Sequence, residues 1–204
     1  MSRENLFPNS SQRADPVYPR RAGQAMTERR LSIKFDDLEM AFDDASGAAR
    51  YYLDLETGQV VLITDEIRDE LETIYRELDD ERSAEDDLFA AALEQHHLPE
   101  WSREMVAEAH QVEQGYSTRY IAVPTADSHE GYRAMEDFID TVANQRLQVQ
   151  LAQAIQGRGA FRRFKDTLLS YPGERERWFA FSRARMRERM LAWLEDEGIT
   201  ATLE

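Results

Sequence analysis

The sequence predicts an α+β fold, predominantly a helical bundle with a small antiparallel sheet, and three observations carry that reading. Apolar residues recur at helical spacing through most of the chain, from Phe35 to Leu194. One stretch, Arg50 to Ile63, instead alternates and is split by Glu56-Thr57-Gly58, the pattern of a β-hairpin. The 204 residues are 42% hydrophobic and 10% aromatic, enough to close a core, whereas a disordered chain of this charge would be poorer in Leu, Ile, Phe and Trp.

Residues 1–30 hold Pro8, Pro16 and Pro19 among scattered Arg, Ser and Asn without periodicity, so they read as a tail, and Met26-Thr-Glu-Arg-Arg reads as an alternative start. The fold is expected over 31–204 as one globular domain. Phe35, Leu38 and Phe42 mark a short amphipathic helix within 33–42, with Asp36, Asp37 and Glu39 where the helix dipole favours acids. The hairpin spans 51–63, with Tyr51, Leu53 and Leu55 on one face and Gly58 supplying the positive φ of its turn. Thr64 or Asp65 caps a helix whose apolar face is Ile67, Leu71, Ile74 and Leu78. Ser83 with Asp86 approximates a capping box for a helix over 84–95, with Leu88, Ala91 and Ala92 turned inward. Beyond Pro99, Trp101, Met105 and Ala109 make a further helix to about Glu113. Residues 118–123 are predicted as a third strand, closed by Pro124.

Ser128 caps a helix carrying Tyr132, Met135, Ile139 and Val142, and Leu147, Leu151, Ala154 and Ile155 mark the next. Gly157-Arg158-Gly159 must interrupt it, because glycine has little helical preference and tolerates the left-handed cap. Phe161, Phe164 and Leu168 face the core from the following helix, which Pro172-Gly173 ends. The last helix, 174–197, places Phe179, Met186, Met190, Trp193 and Leu194 on one side, and its first turn is apolar nearly all round and so expected to be buried on more than one side. The sheet is thus expected to pack against a bundle of about six helices.

The net charge of −15 is uneven: residues 1–34 contribute +4, residues 35–150 contribute −21 and residues 151–204 contribute +2. An acidic middle against a more basic final third favours internal pairing and opposes indiscriminate nucleic-acid binding. With no cysteine there is neither a disulfide framework nor a thiolate zinc site, and with no long apolar run or signal-like start a cytoplasmic location is expected. Glu94 and His97 have a ligand-like spacing, but a di-iron bundle needs a second such pair, so His96, His97, His110 and His129 read as exposed or capping residues. No phosphate loop, dinucleotide fingerprint or nucleophile elbow is present. No cofactor, metal or membrane contact is expected, and the reading leans away from an enzyme.

The candidate site lies in 156–199, which holds 7 of the 20 aromatic residues and 10 of the 25 basic groups. Arg158, Gly159, Arg162 and Arg163 stand at a helix start, where cations are opposed by the dipole unless an anion docks or carboxylates such as Glu136, Asp137 or Asp140 reach across. Arg162 can pair with Asp166 at i, i+4, whereas Arg163 points outward and is left available. Arg183 falls about 40° from Phe179, within the apolar stripe, so it must be paired or line a cleft. The two helices about the glycine corner also match a helix-turn-helix pattern, weakly.

The runs GRGAFRRFKDTL, ERERWFAF and WLEDEGI, with YYLDLETGQVV and YRAMEDFI upstream, resemble uncharacterised protein family 0158, a bacterial family of unknown function. The resemblance covers about residues 33–199 and implies no activity, ligand or catalytic residue. The expected function is therefore a non-catalytic interaction or regulatory protein, with an anion-receiving cleft at the glycine corner for an acidic protein segment or a phosphate-bearing ligand. The alternatives are a nucleic-acid-associated protein using the same basic face and an uncharacterised enzyme.

Overall fold

The computed structural model describes residues 29–78, 86–125 and 128–203. The tail expected before residue 29, the Ser83 cap and most of the acidic tract from Asp79 lie outside the described residues. In order, the elements are β1 (Arg29–Ile33), α1 (Phe35–Asp43), β2 (Ala49–Asp54), β3 (Val60–Thr64), α2 (Asp65–Leu78), α3 (Asp86–Gln95), α4 (Glu100–Gly115), β4 (Tyr120–Ala122), α5 (Ser128–Asp140), α6 (Gln145–Ala154), α7 (Ala160–Leu168), α8 (Pro172–Asp196) and β5 (Ile199–Leu203). The fold is α+β and predominantly helical.

The predicted hairpin forms β2 and β3, with Tyr51 opposite Leu62, and β4 joins the other edge with Leu53 opposite Ile121. Gly58 makes the turn at φ +76, and Asp54 braces it by accepting from the Glu56 amide at 2.8 Å. Asp54 is buried and also accepts from Arg119 Nε at 3.1 Å and Nη2 at 2.7 Å. Burial alone would raise its pKa, but the bonds from Arg119 and the Glu56 amide outweigh that and hold the carboxyl below its ordinary range.

Both faces of β2 are covered. Tyr52 joins Ile67, Leu71, Ile74, Phe89 and Val106 in a core shared with α2, α3 and α4. Tyr51 and Leu53 join Leu38, Phe42, Met190 and Leu194 in a second core under α1 and α8. The third core, centred on Phe138, Phe164 and Trp178, belongs to α5 through α8.

Several expectations are corrected. β1 and β5 pair in parallel, with Arg29 opposite Ile199 and Ile33 opposite Leu203, so Arg29 and Arg30 belong to a strand rather than a tail. In α4 the buried stripe is Ser102, Val106, Ala109 and His110, and Trp101 is 62% exposed. Turning the smaller side chains inward lets α2 and α4 approach. In α3 Phe89 and Leu93 are the buried residues and Ala92 packs against the same core as expected, whereas Ala91 is exposed. The 25-residue α8 serves two cores in succession, Trp178 in one and Met190 and Leu194 in the other, which leaves Phe179 51% exposed. Its first turn is therefore buried on one side only. Phe161 is not a core residue: its partly exposed ring lies over Gly131, where an added Cβ would come within 2.9 Å.

Candidate functional site

At the corner, α6 ends beside Ile155, Gly157 and Gly159 take φ values of +73 and +82, and α7 begins at Ala160. The last carbonyls of a helix lack partners within it and need external donors. Arg163 supplies them: Nε donates to Ala154 O at 2.9 Å, Nη2 to Gln156 O at 2.6 Å and to Gly157 O at 3.4 Å, and Nη1 to Arg158 O. Its side chain is at the surface, as expected, but four of its five N–H donors are used, one on the last carbonyl of α6 and three on the carbonyls of the corner that follows. The cation at the start of α7 is thus offset by carbonyl dipoles. Arg162 pairs with Asp166 at 3.7 Å, an exposed contact of small energetic weight. Arg158 makes no ion pair with a described residue.

Of the acids expected at this corner, Asp137 goes elsewhere, and Glu136 and Asp140 make no ion pair with a described basic residue of the corner. Asp137 pairs with Arg185 and Glu130 with Arg189 at 2.5 Å, so they fasten α5 to α8. Arg183 is paired and lines a groove, as expected, but not from within an apolar stripe. It is a surface residue rather than part of an apolar stripe, lying 3.5 Å from both Asp36 and Glu39 and 5.4 Å from the centroid of the Phe35 ring. Arg187, one turn on, lies over the same ring at 5.3 Å and makes no ion pair with a described residue. Phe35, Ala180, Arg183, Ala184 and Arg187 line a groove of about 350 Å³. On the other side of Arg183 a second groove of about 540 Å³ runs between α1 and α8. Neither groove includes Arg158, Gly159, Arg162 or Arg163, so the candidate residues divide between two places.

A guanidinium held over an aromatic face keeps its planar N–H edge turned outward, a geometry suited to bidentate contact with carboxylate or phosphate. The two alanines leave clearance beside it. The i, i+4 spacing of Arg183 and Arg187 was visible in the sequence, but their convergence depends on Phe35, which is 148 residues before Arg183.

A second constellation escaped the sequence reading. His110, which the sequence predicts to be exposed or capping, is only 4% exposed. Its Nε2 lies 3.2 Å from Asp86 Oδ1, its Nδ1 lies 2.8 Å from Tyr75 Oη, and its ring stacks on Phe89 at 3.7 Å. Because a carboxylate only accepts, Nε2 carries the proton and Nδ1 accepts from the Tyr75 hydroxyl. Burial lowers the imidazole pKa, and the Asp86 contact opposes that shift without cancelling it. The group ties α2, α3 and α4 together at one point.

Among the described residues, no helix is long and apolar enough to cross a membrane. The family model described as Uncharacterised protein family (UPF0158) matches residues 99–204. The chain is also similar to the UPF0158 protein PA5073 of Pseudomonas aeruginosa, with 29% identity over 171 residues covering 84% of this chain and 86% of that relative. No solved structure matches it.

Proposed function

The chain belongs to the uncharacterised protein family UPF0158, and since that membership names no reaction, we propose from the geometry that it is a non-catalytic interaction or regulatory protein. It receives an anionic group, from an acidic protein segment or a phosphate-bearing ligand, in the groove formed by Phe35, Arg183 and Arg187. One observation supports this above others: two guanidinium groups converge on one ring, and Arg187 has no ion pair with any described residue to neutralise it. The corner is a weaker place for an anion, because Arg163 spends its donors on carbonyls and Arg162 faces Asp166. The net charge of −15 also favours a single anionic group over an extended polyphosphate chain.

Calorimetric titration with inorganic phosphate, a phosphoserine peptide and a glutamate-rich peptide tests the reading. At least one should bind, and Arg187→Ala should weaken it by about tenfold or more, as loss of a charge-assisted contact requires. Arg158→Ala should change little. Loss on Arg158→Ala but not on Arg187→Ala, or the absence of binding to all three at low salt, refutes the groove. Filter binding of nucleic acid at two salt concentrations separates the polyanion alternative by its steep salt dependence.

A further inference from the structure

The second groove has a different chemistry. Asp36, Met40 and Asp43 stand at i, i+4 and i+7 on α1 and form one stripe, acidic, apolar and acidic, along its wall. Phe179 and Met186 line the facing wall on α8. Met40 and Phe179 are both about half exposed, at 52% and 51%, although each could bury a large apolar side chain. Asp43 makes no ion pair with a described residue and lies in the last turn of α1, where no basic residue is present and the helix dipole opposes negative charge. Asp36 and Glu39 share one guanidinium, that of Arg183, each at 3.5 Å. The wall therefore carries three carboxylates against one cation.

We propose that this groove docks a cationic amphipathic helix of another protein. The stripe specifies its pattern. Asp36 and Asp43 are two turns apart, about 10 Å along the axis, which matches Lys or Arg at i and i+7 on a helix laid alongside. An apolar residue midway, at i+3 or i+4, enters between Met40, Phe179 and Met186. Methionine and an exposed aromatic ring adapt to varied apolar anchors, and a helix in a groove is a recurrent mode of recognition. The net charge of −21 over residues 35–150 draws a cationic partner from a distance. The same carboxylates repel nucleic acid and anionic membranes. This surface lies on the opposite side of Arg183 from the anion groove and does not depend on it.

The test uses two labelled 14-residue helical peptides of identical pattern, one of Leu and Lys, the other of Leu and Glu, followed by fluorescence anisotropy at low and physiological salt. The full chain should bind the Leu/Lys peptide and not the Leu/Glu peptide. Asp43→Lys and Phe179→Ser, both exposed changes, should each weaken binding by tenfold or more with unaltered circular dichroism. Glu104→Lys, on α4, makes the same change in net charge and should alter affinity by less than twofold, as should Arg187→Ala. Equal weakening by Glu104→Lys and Asp43→Lys would mean that net charge alone attracts the peptide, and would overturn the proposal. No Leu/Lys binding at low salt, or binding unaffected by Phe179→Ser, would also overturn it.

Discussion

Replacing Arg163 by alanine removes donors from the carbonyls of Ala154, Gln156, Gly157 and Arg158. Three of these contacts are close, and a net intramolecular hydrogen bond contributes about 0.5–1.5 kcal/mol, with the lower half of that range fitting carbonyls that water can reach after the change. The expected loss is about 2 kcal/mol. For a chain of this size that corresponds to a fall of about 4–8 °C in Tm. Arg163→Lys should recover less than half, because one ammonium cannot span carbonyls that a planar fork reaches together. Urea denaturation followed by circular dichroism at pH 7 measures both variants. A loss below about 0.5 kcal/mol for Arg163→Ala, the level of an unengaged surface residue, would refute the capping role. That small loss is what the outward, available side chain expected from helical geometry would have shown.

Phe164→Ala should cost about 3–5 kcal/mol, since Phe164 is fully buried between Phe138 and Trp178, whereas the rim residue Phe161→Ala should cost about 1 kcal/mol or less; comparison of urea midpoints decides. His110 gives a pH dependence of defined sign. Its folded pKa lies below the unfolded value near 6.5, so the unfolded chain binds more protons in acid, and the contribution is fully present above that value and lost as pH falls below it. The slope is at most about 1.4 kcal/mol per pH unit, and His110→Gln should flatten the stability curve below about pH 6.5. Asp54→Ala removes the carboxylate that braces the hairpin turn and accepts from the partly exposed Arg119, which keeps Glu56 at 3.3 Å, and should destabilise by about 1–2 kcal/mol; in the unaltered protein the depressed carboxyl keeps this contribution at all pH values above about 4 and loses it only below. Thermal melts across pH 3 to 8 check both ionisable groups.

The elements that were legible in the sequence are those whose signal is local. The β2–β3 hairpin announced itself by alternation around Gly58, and Thr64 capped α2 as expected, accepting from the Ile67 amide at 3.4 Å. Helix phase was less legible. In α8 a single apolar stripe was sought, but Trp178 and Leu194 serve different cores, and a stripe that changes partner midway cannot be averaged along the helix. His110 was missed because a histidine carries no apolar signal of its own, and what buries it comes from Tyr75, Asp86 and Phe89. Residues Ile199, Ala201 and Leu203 do alternate, and could have been read as a strand. Their partner at 29–33, however, sits at the other end of the chain and leaves no trace in local spacing. The site was half legible for the same reason: Arg183 could be singled out, but not Phe35 beneath it.

The parallel pairing of β1 with β5 separates two notions that a family match tends to merge, the span over which sequences remain similar and the span that can fold. Within the matched residues 99–204, β4 pairs with Tyr52, Leu53 and Asp54, and β5 pairs with Arg29 to Ile33, all of which precede residue 99. A fragment starting there would present two orphan strand edges and the stripped apolar face of α8. Such a fragment is expected to associate with itself or with any available strand. Work on relatives that takes the matched span as the unit would therefore study β4 and β5 without the strands they pair with here.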